Sequence, residues 1–146
     1  MSEASAWTTL RSHLVGMDGR VHIQRLEDKL TGGIPDTNVC WSRDTRPGIE
    51  FWLEGKYVKE LPKRQTTKVK VDLRADQALW LETRQRAGGK AFVWIRVADY
   101  GWLLFDSRFR SLQDGIVLSD FINEPVYPTC KAMVQALKVF LISEPI

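Results

Sequence analysis

Cysteine is almost absent. Cys40 and Cys130 are the only two in 146 residues, too few for a disulfide framework or for a zinc site of the usual ligand pattern. Free thiols in a reducing compartment are therefore expected. Long apolar runs are missing as well: none approaches the roughly 18 residues that crossing a membrane requires. The first residues, MSEASAWTTL, lack a basic start followed by an apolar block, so no secretory leader is expected. The cytoplasm is the expected compartment. No internal repeat and no low-complexity tract is visible. His13 and His22 have no partners at metal-ligand spacing and receive no role.

What is present suits a folded domain. Hydrophobic residues make up 44% of the chain and six are tryptophan, enough to bury a core. No composition shift marks a boundary, so one domain over residues 1–146 is expected. Formal net charge is only +3, but its distribution is uneven. Lys56, Lys59, Lys63, Arg64, Lys68, Lys70 and Arg74 stand against Glu60 and Asp72 within nineteen residues. That window carries +5 and the rest of the chain −2. A basic stripe on a near-neutral body is the electrostatic footprint of phosphate-backbone binding; a solvated lysine-rich loop is the alternative.

Periodicity gives the elements. Residues 5–14 read as a short helix, with Trp7, Leu10 and Leu14 at helical spacing. The segment 21–29 fits helix or strand equally, and 31–33 reads as a turn. Strands are expected at 36–42 and 49–58, joined by a polar turn at 43–48. Residues 59–70 read as a basic loop leading to a short extended piece. A helix is expected over 75–87, stopped by Gly88-Gly89, with Asp72 as a possible cap. The apolar run 91–97 predicts a strand buried on both faces, followed by a short strand at 102–105 and a helix near 129–142. That last helix would cover one side of the core or pair two subunits. The order implies an α/β domain with one mixed sheet and helices on its faces.

The chemistry concentrates in Gly48-Ile-Glu-Phe-Trp-Leu-Glu-Gly-Lys-Tyr57. Alternation along a strand puts Ile49, Phe51, Leu53 and Tyr57 on one side as a core face, and Glu50, Trp52, Glu54 and Lys56 on the other. Glu54 and Lys56 then stand about 6–7 Å apart along the strand, near enough to share one phosphate. A surface strand with an ion pair would look the same. Ile34-Pro35-Asp36 adds a second carboxylate at the start of the preceding strand. If the two strands form a hairpin, Asp36 approaches Glu54. Two converging carboxylates call for a cation, and hard oxygen ligands suit Mg²⁺ or Mn²⁺.

Gly33-Ile34-Pro35-Asp36, then Trp52-Leu53-Glu54-Gly55-Lys56-Tyr57, then Gln77-Ala-Leu-Trp80 resembles the PD-(D/E)XK nucleases. The likeness is strongest to the small stand-alone VRR-NUC-like proteins of phages and bacteria, which include Holliday junction resolvases. It covers roughly residues 20–106 and leaves 107–146 as a C-terminal extension. It implies a restriction-endonuclease-like core: a mixed central sheet flanked by helices, here with an extra C-terminal helix. It also implies that Asp36 and Glu54 bind the divalent ion together with the Gly55 main-chain carbonyl. Lys56 would orient or activate the attacking water. Glu27 matches an upstream acidic residue beside the metal, and Gln77 a glutamine facing the site from the following helix.

Three features depart from the family pattern. The middle residue of Glu-x-Lys is usually apolar, and here it is Gly55. Arg74 stands where a small helix cap is common. Glu50 is a competing carboxylate, with no lysine two positions on. Plainer roles also exist for several residues. Glu27 lies in a charged string that a solvated face would explain, and Gln77 could be an exposed helix residue. Trp52 could stack on a base, but a partly buried place beside the sheet is its expected role; Trp80 and Trp94 read as core.

The implied activity is metal-dependent hydrolysis of DNA phosphodiesters, with branched or flapped DNA as substrate and a Holliday junction as its sharpest form. Lys59, Lys63, Arg64, Lys68 and Lys70 would contact phosphates. Junction cutting implies a homodimer, and no small-molecule cofactor is expected. A bacterial or phage-infected cytoplasm is the implied setting. A nuclease of linear ends or single strands is an alternative. So is a DNA-binding module that keeps the fold without turnover.

Overall fold

The computed structural model describes residues 2–26, 32–44 and 47–143. Glu27, and Thr31 of the expected turn, lie outside them. The first helix, α1 (Glu3–Val15), begins where Ser2 and Ser5 cap each other: the Ser2 hydroxyl accepts the Ser5 N–H at 3.2 Å and the Ser5 hydroxyl accepts the Ser2 N–H at 2.7 Å. Such reciprocal capping satisfies two otherwise orphaned donors. The described part of the ambiguous segment that follows carries a strand, β1 (Arg20–Arg25). It pairs antiparallel with β2 (Thr37–Ser42), which pairs antiparallel with β3 (Ile49–Val58).

The chain then passes through the two-residue strand β4 (Lys68–Val69) and the helix α2 (Ala75–Arg86) to β5 (Lys90–Val97). β5 lies parallel to β3 and antiparallel to β6 (Gly101–Phe105). The five-stranded order is β1-β2-β3-β5-β6. The fold class expected from the sequence is the one observed, a mixed sheet with helices on both faces. Among the described residues no helix is long and apolar enough to cross a membrane.

Each face buries its own core, which explains why β5 reads as an unbroken apolar run. Phe92 and Trp94 enter a core built with Leu10 and Leu14 of α1 and with Met133 and Leu137 of α5 (Cys130–Ile142). Thr129 caps α5 by accepting the Ala132 N–H at 3.1 Å. Ala91, Val93, Ile95 and Val97 enter the opposite core with Ala78 and Leu81 of α2. α5 thus covers the sheet, the first of the two roles its sequence allowed.

Three short elements in the C-terminal extension have no counterpart in the sequence reading: α3 (Phe109–Asp114), β7 (Ile116–Val117) and α4 (Leu118–Phe121). They supply Phe109, Leu112, Leu118 and Phe121 to the α2-side core. β7 also pairs with β4, with Lys68 opposite Val117 and Val69 opposite Ile116. The Thr67 carbonyl accepts the Leu118 N–H at 2.9 Å, and the Gln65 carbonyl accepts that of Ser119 at 3.1 Å. The extension therefore braces the basic segment.

Candidate active site

Glu54 and Lys56 project from β3 toward α2, on the face that also carries Trp52. The sequence reading treated this face as the one away from the core, yet Glu54 is only 4% exposed. The reason is α2, which lies over this side of the sheet. Lys56 Nζ stands 3.7 Å from Glu54 Oε2. It donates to the Asp72 main-chain carbonyl at 2.9 Å and to Gln77 Oε1 at 3.0 Å. Gln77, also 4% exposed, donates through Nε2 to Glu54 Oε2 at 3.4 Å. Glu54, Lys56 and Gln77 are thus brought together, and Gln77 is not the exposed helix residue its sequence context allowed.

The same glutamine explains how α2 starts without a small cap. Arg74 makes no side-chain cap; instead Gln77 Oε1 accepts the Arg74 main-chain N–H at 3.0 Å. Asp72 is not the cap either. It sits in a left-handed conformation, φ 62°, and contributes its carbonyl to Lys56. The Arg74 guanidinium beside Asp76 holds that carboxyl below its usual range, and Asp76 Oδ1 accepts the Gln77 N–H at 2.9 Å. An anion in the first turn of a helix is favourably placed.

Asp36 stands just before β2 and is held by an ion pair and a hydrogen bond. Arg25 Nη1 lies 3.3 Å from its Oδ1, and the Thr37 hydroxyl donates to the same oxygen at 3.1 Å. The β2–β3 ladder ends with Thr37 opposite Leu53; continued by one step, that register would set Asp36 opposite Glu54, and by two, Pro35 opposite Gly55. Opposite residues of an antiparallel pair share a face. The approach of this segment to α2 depends on Gly33, whose φ is 87° and where a Cβ would collide with the Asp76 carbonyl.

The same register bears on Gly55. Asp36 turns its carbonyl toward β1, where it accepts the Leu26 N–H at 2.9 Å. By alternation, Thr37 and Pro35 turn their main-chain groups toward β3. Pro35, which that register would bring to Gly55, has no N–H to give its carbonyl. Glycine itself is required at 55 because a Cβ there would enter the Trp94 indole. The departure from an apolar middle residue is thereby explained: Trp94 fills the space that such a side chain would take.

These oxygens suit a hard divalent cation. Two carboxylates and a main-chain carbonyl, completed by water and substrate phosphate, are the kind of set that holds Mg²⁺. Among the described residues no group of three or more His, Cys, Asp or Glu side chains could hold a metal ion.

Trp52 is half-buried and packs edge-on against Trp80, ring centroids 5.1 Å apart, with Arg84 over both rings. Trp94 is fully buried. Lys59, Lys63, Arg64, Lys68 and Lys70 are all exposed. Lys63, Lys68 and Lys70 line one cleft of about 480 Å³ around Leu61. Asp72, two residues beyond Lys70, carries the carbonyl that holds Lys56, so the basic segment runs directly into the site. Arg25 and Asp72 are the site neighbours that sequence alone does not reveal. Their contacts depend on strand register and on a left-handed turn.

No family model matches this chain, and no curated protein matches it. Among solved structures it is similar to the Holliday junction resolvase Hjc of Archaeoglobus fulgidus, an archaeal hyperthermophile. The identity is 17%, 82% of this chain and 95% of that chain are covered, and the TM-score is 0.42. Likeness of that degree carries no functional argument, which rests instead on the side chains.

Proposed function

We propose that this chain is a divalent-metal-dependent deoxyribonuclease that hydrolyses phosphodiester bonds at Asp36, Glu54 and Lys56, with branched DNA as its preferred substrate. One observation carries the reading: a nearly buried carboxylate and an ammonium lie 3.7 Å apart, both tied to the same buried glutamine. Burying charged groups costs several kcal/mol each, which their mutual attraction rarely repays. A DNA-binding surface has no need of such an arrangement; a centre that must hold an ammonium at a reacting phosphate does.

Asp36, Glu54 and the Gly55 carbonyl would hold Mg²⁺ or Mn²⁺, and Glu27 joins them in the family pattern. When bound, the cation supplies a water of lowered pKa and polarises the phosphoryl oxygen. Lys56 donates toward the attacked phosphate and offsets the negative charge that builds there. Gln77 and the Asp72 carbonyl fix its position, so no reorganisation accompanies the reaction. Lys59, Lys63, Arg64, Lys68 and Lys70 bind phosphates along the strand leading into the site and position it without reading sequence. On a four-way junction two symmetric cuts call for two copies, hence a homodimer. A single domain over residues 1–146 in a bacterial or phage-infected cytoplasm is the setting this reading implies.

The test uses labelled four-way junction, flap, linear duplex and single-stranded DNA, each with Mg²⁺, Mn²⁺ or EDTA, beside folded Asp36→Ala and Lys56→Ala variants. Metal-dependent cutting that both variants lose supports the nuclease, and paired nicks confined to the junction support the resolvase form. Cutting of linear ends or single strands alone replaces the branched substrate. Binding without cutting in either metal overturns the enzyme and leaves a DNA-binding module.

A further inference from the structure

Arg25 ends β1 on the sheet face opposite to Glu54, and its guanidinium reaches round the end of β2. Nη1 lies 3.3 Å from Asp36 Oδ1 and donates to the Thr37 hydroxyl at 3.0 Å. That hydroxyl donates in turn to the same Asp36 oxygen at 3.1 Å. The guanidinium also lies over the Trp7 ring of α1, 4.4 Å from its centroid. A surface arginine with one loose ion pair would have none of the other contacts. This one is positioned from three sides: by a carboxylate, a buried hydroxyl and an aromatic face.

The oxygen that Arg25 approaches belongs to a carboxylate that would hold the divalent cation. A guanidinium carries its charge at every accessible pH. A cation at Asp36 must therefore displace it from Oδ1 or bind against a positive charge a few ångströms away. We infer that Arg25 is the resident counter-ion of Asp36, competing with the divalent cation for that carboxylate and setting the site's metal affinity low. The inference rests on the proposed metal site. Arg25 also orders Asp36 before the cation arrives, since a lone carboxylate opposite Glu54 would be repelled from it. Its side chain is 38% exposed, which leaves room for the guanidinium to move off Oδ1 while staying near Trp7.

Mn²⁺ binding alone, without DNA, tests this by calorimetry on the wild type, Arg25→Gln, Arg25→Lys and Asp36→Asn, each checked for a native melting transition. Arg25→Gln keeps a donor for Thr37 but loses the charge. Mn²⁺ is expected to bind it on the order of tenfold more tightly than the wild type. Arg25→Lys keeps the charge and should stay within about threefold of the wild type. The gain in Arg25→Gln should shrink as ionic strength rises, because an exposed charge is screened. A purely structural Arg25 gives neither a gain of affinity nor that salt dependence. Equal or weaker Mn²⁺ binding by a folded Arg25→Gln overturns the competition while the metal site survives. No Mn²⁺ binding by either the wild type or Arg25→Gln, or binding unchanged in Asp36→Asn, overturns the metal site and this inference with it.

Discussion

Gln77 holds Lys56 through its side-chain oxygen at 3.0 Å, and that oxygen also accepts the Arg74 N–H at 3.0 Å. Two donors on one atom fix the orientation of the carboxamide, so its NH₂ group must face Glu54, as it does. The start of a helix and the position of the ammonium are thus set by a single side chain.

Replacing Gln77 should therefore separate catalysis from binding. Gln77→Leu removes the acceptor for Lys56 and the donor to Glu54, and kcat should fall roughly tenfold to a hundredfold through misplacement of the ammonium. Kd for DNA should move little, because the exposed lysines remain. Gln77→Glu keeps the acceptor for Lys56 but sets a second carboxylate against Glu54, and should be at least as damaging. Single-turnover cleavage beside a binding titration reads both effects. A Gln77→Leu protein that cleaves at the wild-type rate removes the residue from the site.

Gly55 answers to packing. Gly55→Ala would drive its methyl group into Trp94, and overpacking of this kind costs about 1–3 kcal/mol. Trp94→Phe opens the space, so the double variant should recover part of that loss. Denaturant unfolding of the four proteins measures the coupling. Additive losses would mean that Trp94 is not what excludes a side chain at 55.

Much of this site was legible in the sequence because it lies on the two most regular strands. Alternation in 49–58 put Glu54 and Lys56 on one face, and the hairpin put Asp36 within reach. What sequence could not show was set by tertiary partners. The segment 21–29 stayed undecided until β2 supplied the ladder that makes Arg20–Arg25 a strand. Glu54 looked solvent-facing because the path of α2 across the sheet is not written in β3. The elements α3, β7 and α4 are two to six residues long, too short to show a period. β7 exists because Lys68–Val69 offers it an edge. Arg25 lies in that undecided segment and meets Asp36 only through the strand pairing.

Cys130 gives a prediction at alkaline pH. Burial pushes its thiol up to about 12, whereas an unfolded cysteine titrates near 8.5. Between those values the unfolded chain releases a proton that the native protein keeps. Stability is unaffected below about 8.5 and falls as pH rises toward 12, by up to about 1.4 kcal/mol per pH unit. Cys130→Ala should flatten that slope, as urea midpoints between pH 8 and 10.5 would show. Iodoacetamide at pH 8 should spare Cys130 in the native protein, and rapid labelling would contradict the burial.

Arg108 and Glu124 form a two-pronged pair at 2.6 and 2.7 Å that joins the start of α3 to the chain after α4. The guanidinium holds the Glu124 carboxyl below its ordinary value. Its contribution is present above the unfolded carboxylate pKa and is lost as pH falls through the lower native value. With Arg108 half exposed, Glu124→Gln should cost up to about 1 kcal/mol at pH 7. The difference from the wild type should vanish in strong acid. A cost that persists unchanged at pH 2 would assign it to packing.

The basic segment makes the prediction that separates recognition from chemistry. Lys63, Lys68 and Lys70 converge on one cleft, and β7 pairs with the backbone at Lys68–Val69. Each lysine that neutralises a phosphate releases counterion, so log Kd varies with log salt in proportion to their number. Lys63→Ala, Lys68→Ala and Lys70→Ala should each lower the magnitude of that slope by about one, equally for unrelated DNA sequences. The single-turnover rate at saturating DNA should stay near wild type. Lys56→Ala should differ in kind: its ammonium is held by Asp72, Gln77 and Glu54 and serves only the attacked phosphate, so the slope should change by at most about one while cleavage collapses. If the three cleft variants leave the salt slope intact, the strand takes another path into the site. The open face of β1, where Arg20, His22 and Gln24 are exposed, would be the surface to change next.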